Sequence, residues 1–204
     1  MLNASQIVSL HDTLTRVWHE SATPADLHPI APWLDLLLRQ HRANFDLWHT
    51  EDQARAPEAT DARIAQIKRQ IDATNQLRND LVEEIDRQLL DWLKMRSLPN
   101  PAAPLHSETA GLIVDRLSIL SLKIFHTGEQ AGRFDATEEH RQRNLSRLAL
   151  LEEQRADLAA CLADLWVETL SGRRRFKLYR QLKMYNDPSL NPAIYEKPSS
   201  KSVL

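Results

Sequence analysis

The chain has 204 residues, 42% of them hydrophobic and 26% charged, so it can bury a sizeable core as an ordinary globular protein. Its formal charge of -2 argues against polyanion binding by bulk electrostatics, and the single Cys161 excludes an internal disulfide framework and a cysteine-rich zinc site. Four glycines, with prolines grouped in a few segments, favour helices over sheets and tight turns.

Ile7, Leu10, Leu14 and Val17 share one face of a predicted first helix over 5–20. That opening lacks the basic start and apolar run of a signal peptide, and no apolar stretch reaches the length of a membrane span. A cytoplasmic location is therefore expected. The proline-marked segment 21–32 is a connector, followed by a second helix from Trp33 to about Arg55. A third, capped by Thr60 or Asp61, ends near Arg96. SLPNPAAPLH, 97–106, is the clearest break. Ser107 or Thr109 opens a fourth helix to about Gln130, apolar on more than one side and therefore central. Asp135 or Thr137 caps a fifth that reaches Leu170, with Gly172 at its end or at a kink. A short basic helix over 173–184 and an irregular tail over 185–204 complete the chain.

HTEDQAR at 49–55 returns as HTGEQAG at 126–132, an offset of 77 residues. The same offset lays Arg39 on Arg116, Thr60 on Thr137, Arg78 on Arg155, Asp80 on Asp157 and Leu93 on Leu170. A duplicated helical hairpin accounts for this, with pseudo-repeats at approximately 37–95 and 114–172. The expected fold is all-α: a single domain over 1–204, a bundle of long antiparallel helices with an extra N-terminal helix and a short basic C-terminal one. The second copy has lost polar residues, with Gly128 in place of Glu51, Gly132 of Arg55, Glu152 of Asn75 and Ala156 of Asn79.

In the first copy those polar residues lie on the core side. At 100° per residue, Leu37, Asn44, Trp48, Glu51 and Arg55 form one stripe. On the third helix Ile64, Ile67, Ile71, Val82, Ile85 and Leu89 define the core face, Asn75 and Arg78 lie within it, and Asp72, Asn79 and Asp86 edge it. Buried polar groups need partners, so Glu51 or Asp52 is expected on Arg78, and Glu129 on Arg155. On the fourth helix Glu108, Asp115, Arg116 and Lys123 must pair or line an opening. His49 and His126 read as scaffold, because no HExxH or similar spacing is present; no metal is predicted. Without a glycine-rich phosphate loop or nucleophile elbow, no cofactor is predicted either. Arg173, Arg174, Arg175, Lys177, Arg180 and Lys183 form a basic run whose bland reading is a solvated helix face.

The motifs NFDLWHTEDQAR (44–55), IDATNQLRNDLVEEID (71–86), ETAGLIVDRLSILSLKIFH (108–126) and KMYNDPSLNP (183–192) resemble a bacterial family known as domain of unknown function 4254. The resemblance implies an all-helical protein encoded near surface-polysaccharide or lipopolysaccharide glycosyltransferases, and carries no activity. Its matching positions include Asn44, Trp48, Glu51, Asp52, Arg55, Asp72, Asn75, Arg78, Asn79, Asp86, Glu108, Asp115, Arg116, Lys123 and Lys183.

Three readings follow. In the first, an accessory protein of envelope-glycan assembly binds an anionic small molecule such as a sugar phosphate. Arg55, Arg78, Arg116 and Lys123 meet the anion, Asn44, Asn75 and Asn79 offer hydrogen bonds beside Asp72, and Trp48 forms an apolar wall. In the second, an enzyme uses Glu51, Glu108 or Asp115 as acid or base in the same pocket. In the third, the polar network only holds a structural or protein-interaction module together, as a monomer or a homodimer. Nucleic-acid binding through the basic C-terminus is the weakest reading.

Overall fold

The structure, a computed structural model, describes residues 2–20, 31–182 and 188–192. Five helices form a bundle: α1 (Ala4–Glu20), α2 (Pro32–Ala54), α3 (Asp61–Lys94), α4 (Ala110–Ala131) and α5 (Glu138–Leu170). The ends follow local chemistry. The Thr60, Thr109 and Thr137 hydroxyls accept from the amides of Arg63, Leu112 and His140, so threonine is the cap in each case. At α2 a proline opens the helix, where its missing N–H costs nothing.

Shifted by 77 residues, α2 and α3 fall on α4 and α5 to within one residue at every end. Equivalent residues also meet in space. His41 Nδ1 lies 2.7 Å from Ser118 Oγ, and the His49 and His126 rings are 5.7 Å apart. Those pairs are about two turns apart, so α2 and α4 run side by side in parallel, while α3 and α5 return. As expected for a helix apolar on several sides, α4 touches every other helix, with Ile113, Val114, Leu117 and Leu122 all buried. The main core joins Ile113, Val114 and Leu117 to Leu36, Leu81, Ile85, Leu89, Leu158, Leu162 and Leu165, each worth roughly 1.5–3 kcal/mol when fully buried, while Leu122 packs with Leu14, Trp18 and Phe45. Of the expected α3 core face, Ile64 is the exception, exposed near the tip of the hairpin. The helix α1 packs on α4 and α5 and reaches α2.

The predicted basic helix does not form over 173–182, where the chain is non-helical. Gly172, at φ +71°, turns the chain after α5. Arg175 then bonds through its backbone to Pro104 O and His106 N, making an isolated bridge between Leu105 and Arg175. These bonds use the groups a helix would need, and Phe176 is buried beside them. The arginines do not form one solvated face: Arg174 pairs with Glu168 at 3.0 Å and Arg175 donates to Ala103 O. Residues 183 and 184 of that helix, the connector over 21–30 and most of the tail lie outside the described residues. Among the described residues, no helix is long and apolar enough to cross a membrane.

Candidate functional site: a pocket between α2, α3 and α4

The stripe on α2 runs from core to solvent. Leu37 and Asn44 are buried, Trp48 and Glu51 half-buried, and Arg55 exposed. Where it emerges, α2, α3 and α4 enclose a pocket of about 370 Å³ lined by Asn44, Leu47, Trp48, Glu51, Asp52, Arg55, Asn75, Arg78, Ile119 and Leu122. Asn44, Leu47 and Leu122 supply a buried floor, and Asp52 and Arg55 an exposed rim.

Behind that floor lies a polar chain crossing the bundle. Thr15 Oγ1 lies 2.9 Å from His41 Nε2, and His41 Nδ1 2.7 Å from Ser118 Oγ. Asn44 Nδ2 donates to Ser118 Oγ and to Asp115 Oδ1, and Gln40 Nε2 also donates to Asp115 Oδ1 at 2.7 Å. Burial pushes the His41 pKa down to about 3, so the ring is a neutral link rather than a buried charge. Burial likewise raises the pKa of Asp115, against the pull of Arg78 and the two amides. The Arg78 guanidinium sits 3.9 Å from Asp115 Oδ1, and its buried Nε has no hydrogen-bond partner.

The candidate residues thus divide. Asn44, Trp48, Glu51, Arg55, Asn75 and Arg78 line this pocket. Asp115 stands behind it, bonded to Asn44 of the floor and to Gln40. Glu108, Arg116 and Lys123 line a separate α4–α5 groove of about 730 Å³, where Arg116 grips both Glu108 oxygens at 2.7 and 3.0 Å. A single anion site built from Arg55, Arg78, Arg116 and Lys123 is therefore not what the fold assembles. On α4, Asp115 and Leu122 turn toward α2 and α3, Arg116, Leu120 and Lys123 turn toward α5, and Ile119 between them lines both openings. Asn79 is buried but lines neither opening, and Asp72 is an exposed partner of Lys68.

Two expected ion pairs are replaced. Glu51 bonds Arg55, one turn along the same helix, at 3.0 Å, and not Arg78. Arg155 pairs with Asp12 of α1 at 2.6 Å, and Glu129 bonds His126. The second replacement shows how the two hairpins differ. The second-copy counterparts of the pocket's α2 and α3 walls, including Ser121, Ile124, Phe125 and Arg155, face α1. The N-terminal helix covers that face, placing Asp12 on Arg155 and leaving a cavity of about 260 Å³ against Ser121, Ile124 and Phe125, smaller than the first hairpin's 370 Å³ pocket. Sequence reading gave no place to α1, whose amphipathic pattern shows that it docks but not where.

Among the described residues, one group could hold a metal ion: His19, His49 and His126, with ring nitrogens within 4.8 Å of one another. His126 stacks on Trp48, at 4.8 Å and 9°, next to the pocket. His19 escaped sequence reading; the signal in reach was the pair of repeated histidines at matching helix ends.

Fold and site define an all-helical bundle with a polar pocket between helices. The chain belongs to the family described as Protein of unknown function (DUF4254), whose model matches residues 34–178. No curated protein and no solved structure matches it significantly.

Proposed function

We propose that the α2–α3–α4 pocket binds an anionic small molecule, with Arg78 as its main charge partner and Arg55 at the rim. The observation carrying this reading is the contrast between two equivalent arginines. Arg155 holds a carboxylate from α1 at 2.6 Å, whereas Arg78 faces an open pocket with a distant partner and an orphan Nε. A carboxylate or phosphate at Arg78 would reproduce in the first hairpin what Asp12 does in the second. Asn75 and the carbonyl of Asn44 suit hydroxyl groups, and Trp48 with Leu47 and Leu122 suits a sugar or similar apolar face. The repeat register supports an origin by duplication, after which one arginine was paired with α1 and the other kept for a ligand.

The family's association with surface-polysaccharide glycosyltransferases supports a sugar phosphate as the anion and a cytoplasmic accessory role in that pathway. An enzymatic reading narrows to Glu51, since Asp115 lies behind the lining and Glu108 is held by Arg116 in the other groove. A thermal-shift screen of sugar phosphates and nucleotide sugars tests the proposal. The expected result is a stabilising compound whose effect disappears in folded Arg78→Ala. A screen with no stabilising anion, or a hit indifferent to Arg78→Ala, would contradict it.

A further inference from the structure

We infer that His19, His49 and His126 form a binding site for one divalent transition-metal ion of the zinc class, at the join between the two hairpins and α1. The repeated histidines come from equivalent positions of α2 and α4, and His19 closes the group from the end of α1. All three rings are oriented through Nδ1. His19 Nδ1 is 2.7 Å from Thr15 O, His49 Nδ1 2.8 Å from Phe45 O, and His126 Nδ1 2.7 Å from a Glu129 carboxylate oxygen. Each of those partners only accepts, so each Nδ1 carries a proton and Nε2 is the nitrogen left for a ligand. Metal-binding histidines are supported in this way, by a carbonyl or carboxylate on the second nitrogen.

The Nε2 atoms of His19 and His126 are buried, and no protein group bonds them. Two buried acceptors without donors are costly in a cluster otherwise built of rings, and a shared cation would satisfy both. Phe125 stacks on His19 and Trp48 on His126, which limits how the rings can turn. Tetrahedral zinc, with Zn–N near 2.0–2.1 Å, needs nitrogens about 3.4 Å apart, so the rings close by about 1.5 Å from their 4.8 Å limit. Three imidazoles suit zinc and its neighbours and not the oxygen-seeking calcium or magnesium, and they leave a fourth position for water or another ligand. This site is independent of anion binding at Arg78.

The test is zinc titration of the EDTA-stripped full chain in competition with a chromophoric chelator, with folding followed by far-UV circular dichroism. One equivalent is expected to bind at micromolar affinity or tighter and to raise the melting temperature. His19→Phe, His49→Phe and His126→Phe keep a ring in the cluster and should each weaken binding by more than about 100-fold, and Glu129→Ala by roughly 10- to 100-fold. His140→Ala should leave affinity unchanged. Where a phenylalanine variant does not fold, the glutamine variant at the same position replaces it. Failure of the folded, stripped wild type to bind zinc overturns the site, as does undiminished affinity in a folded variant of His49 or His126.

Discussion

Replacing Asp86 by asparagine should change how stability depends on pH, with a sign set by burial. Asp86 is 2% exposed, and its Oδ1 accepts from the Gly111 amide at 2.7 Å in the first turn of α4, with the Thr109 hydroxyl also bonded to it. Those bonds and the helix terminus favour the carboxylate. Desolvation outweighs them and raises the pKa from 3.8 to about 6. Between those values the folded protein retains a proton that the unfolded chain has released, so this group's contribution falls as pH rises from about 4 to about 6. At about 1.4 kcal/mol per pH unit, the gap corresponds to about 3 kcal/mol at neutral pH. His41 and His11 act in the opposite sense, since burial lowers both and they stabilise the fold less as pH falls. The comparison must therefore be wild type minus Asp86→Asn, from urea melts between pH 4 and pH 7. Wild type should lose roughly 2–2.5 kcal/mol relative to the variant across that window, since the unfolded carboxyl is already partly ionised at pH 4. Parallel profiles, or a relative gain by wild type as pH rises, would refute the dominance of desolvation.

Gly111→Ala should destabilise by about 1–3 kcal/mol in chemical denaturation, because the new Cβ would meet Val82 O at 2.6 Å, a backbone atom that cannot turn aside. His41→Gln should flatten the loss of stability expected below about pH 6.5, since the neutral ring with a pKa near 3 is the source of part of it; an unchanged acid limb in urea melts would contradict this. Asp12→Ala should cost about 1 kcal/mol or less, the pair with Arg155 being partly open to solvent, and should shrink further at high salt.

The helices were legible because periodicity and caps are local. Thr60, Thr109 and Thr137 act where their sequence neighbours place them, and the apolar surround of α4 announced its central position. Partners across helices were less so. Glu51 had a candidate in Arg78, but Arg55, one turn away, reaches it with less ordering of the chain. Arg155 was assigned to Glu129 because nothing in residues 4–20 marks the groove that α1 enters. Much the same holds for the candidate site: the stripe on α2 indicated which residues emerge into a pocket, while one 100° step on α4 separated Asp115 from Arg116. The basic C-terminal run read as a helix because its composition allows one; pairing of Arg175 with Pro104 and His106 is nonlocal and left no trace in spacing.

The central claim is that the first hairpin keeps open an anion site whose equivalent in the second is taken by Asp12 of α1 on Arg155. Its most direct measurement is the dissociation constant of a single sugar phosphate, by calorimetry, for wild type, Arg78→Ala and Arg155→Ala. The account predicts that Arg78→Ala abolishes binding, whereas Arg155→Ala retains it with some loss of stability. Binding that survives Arg78→Ala but is lost in Arg155→Ala would contradict it.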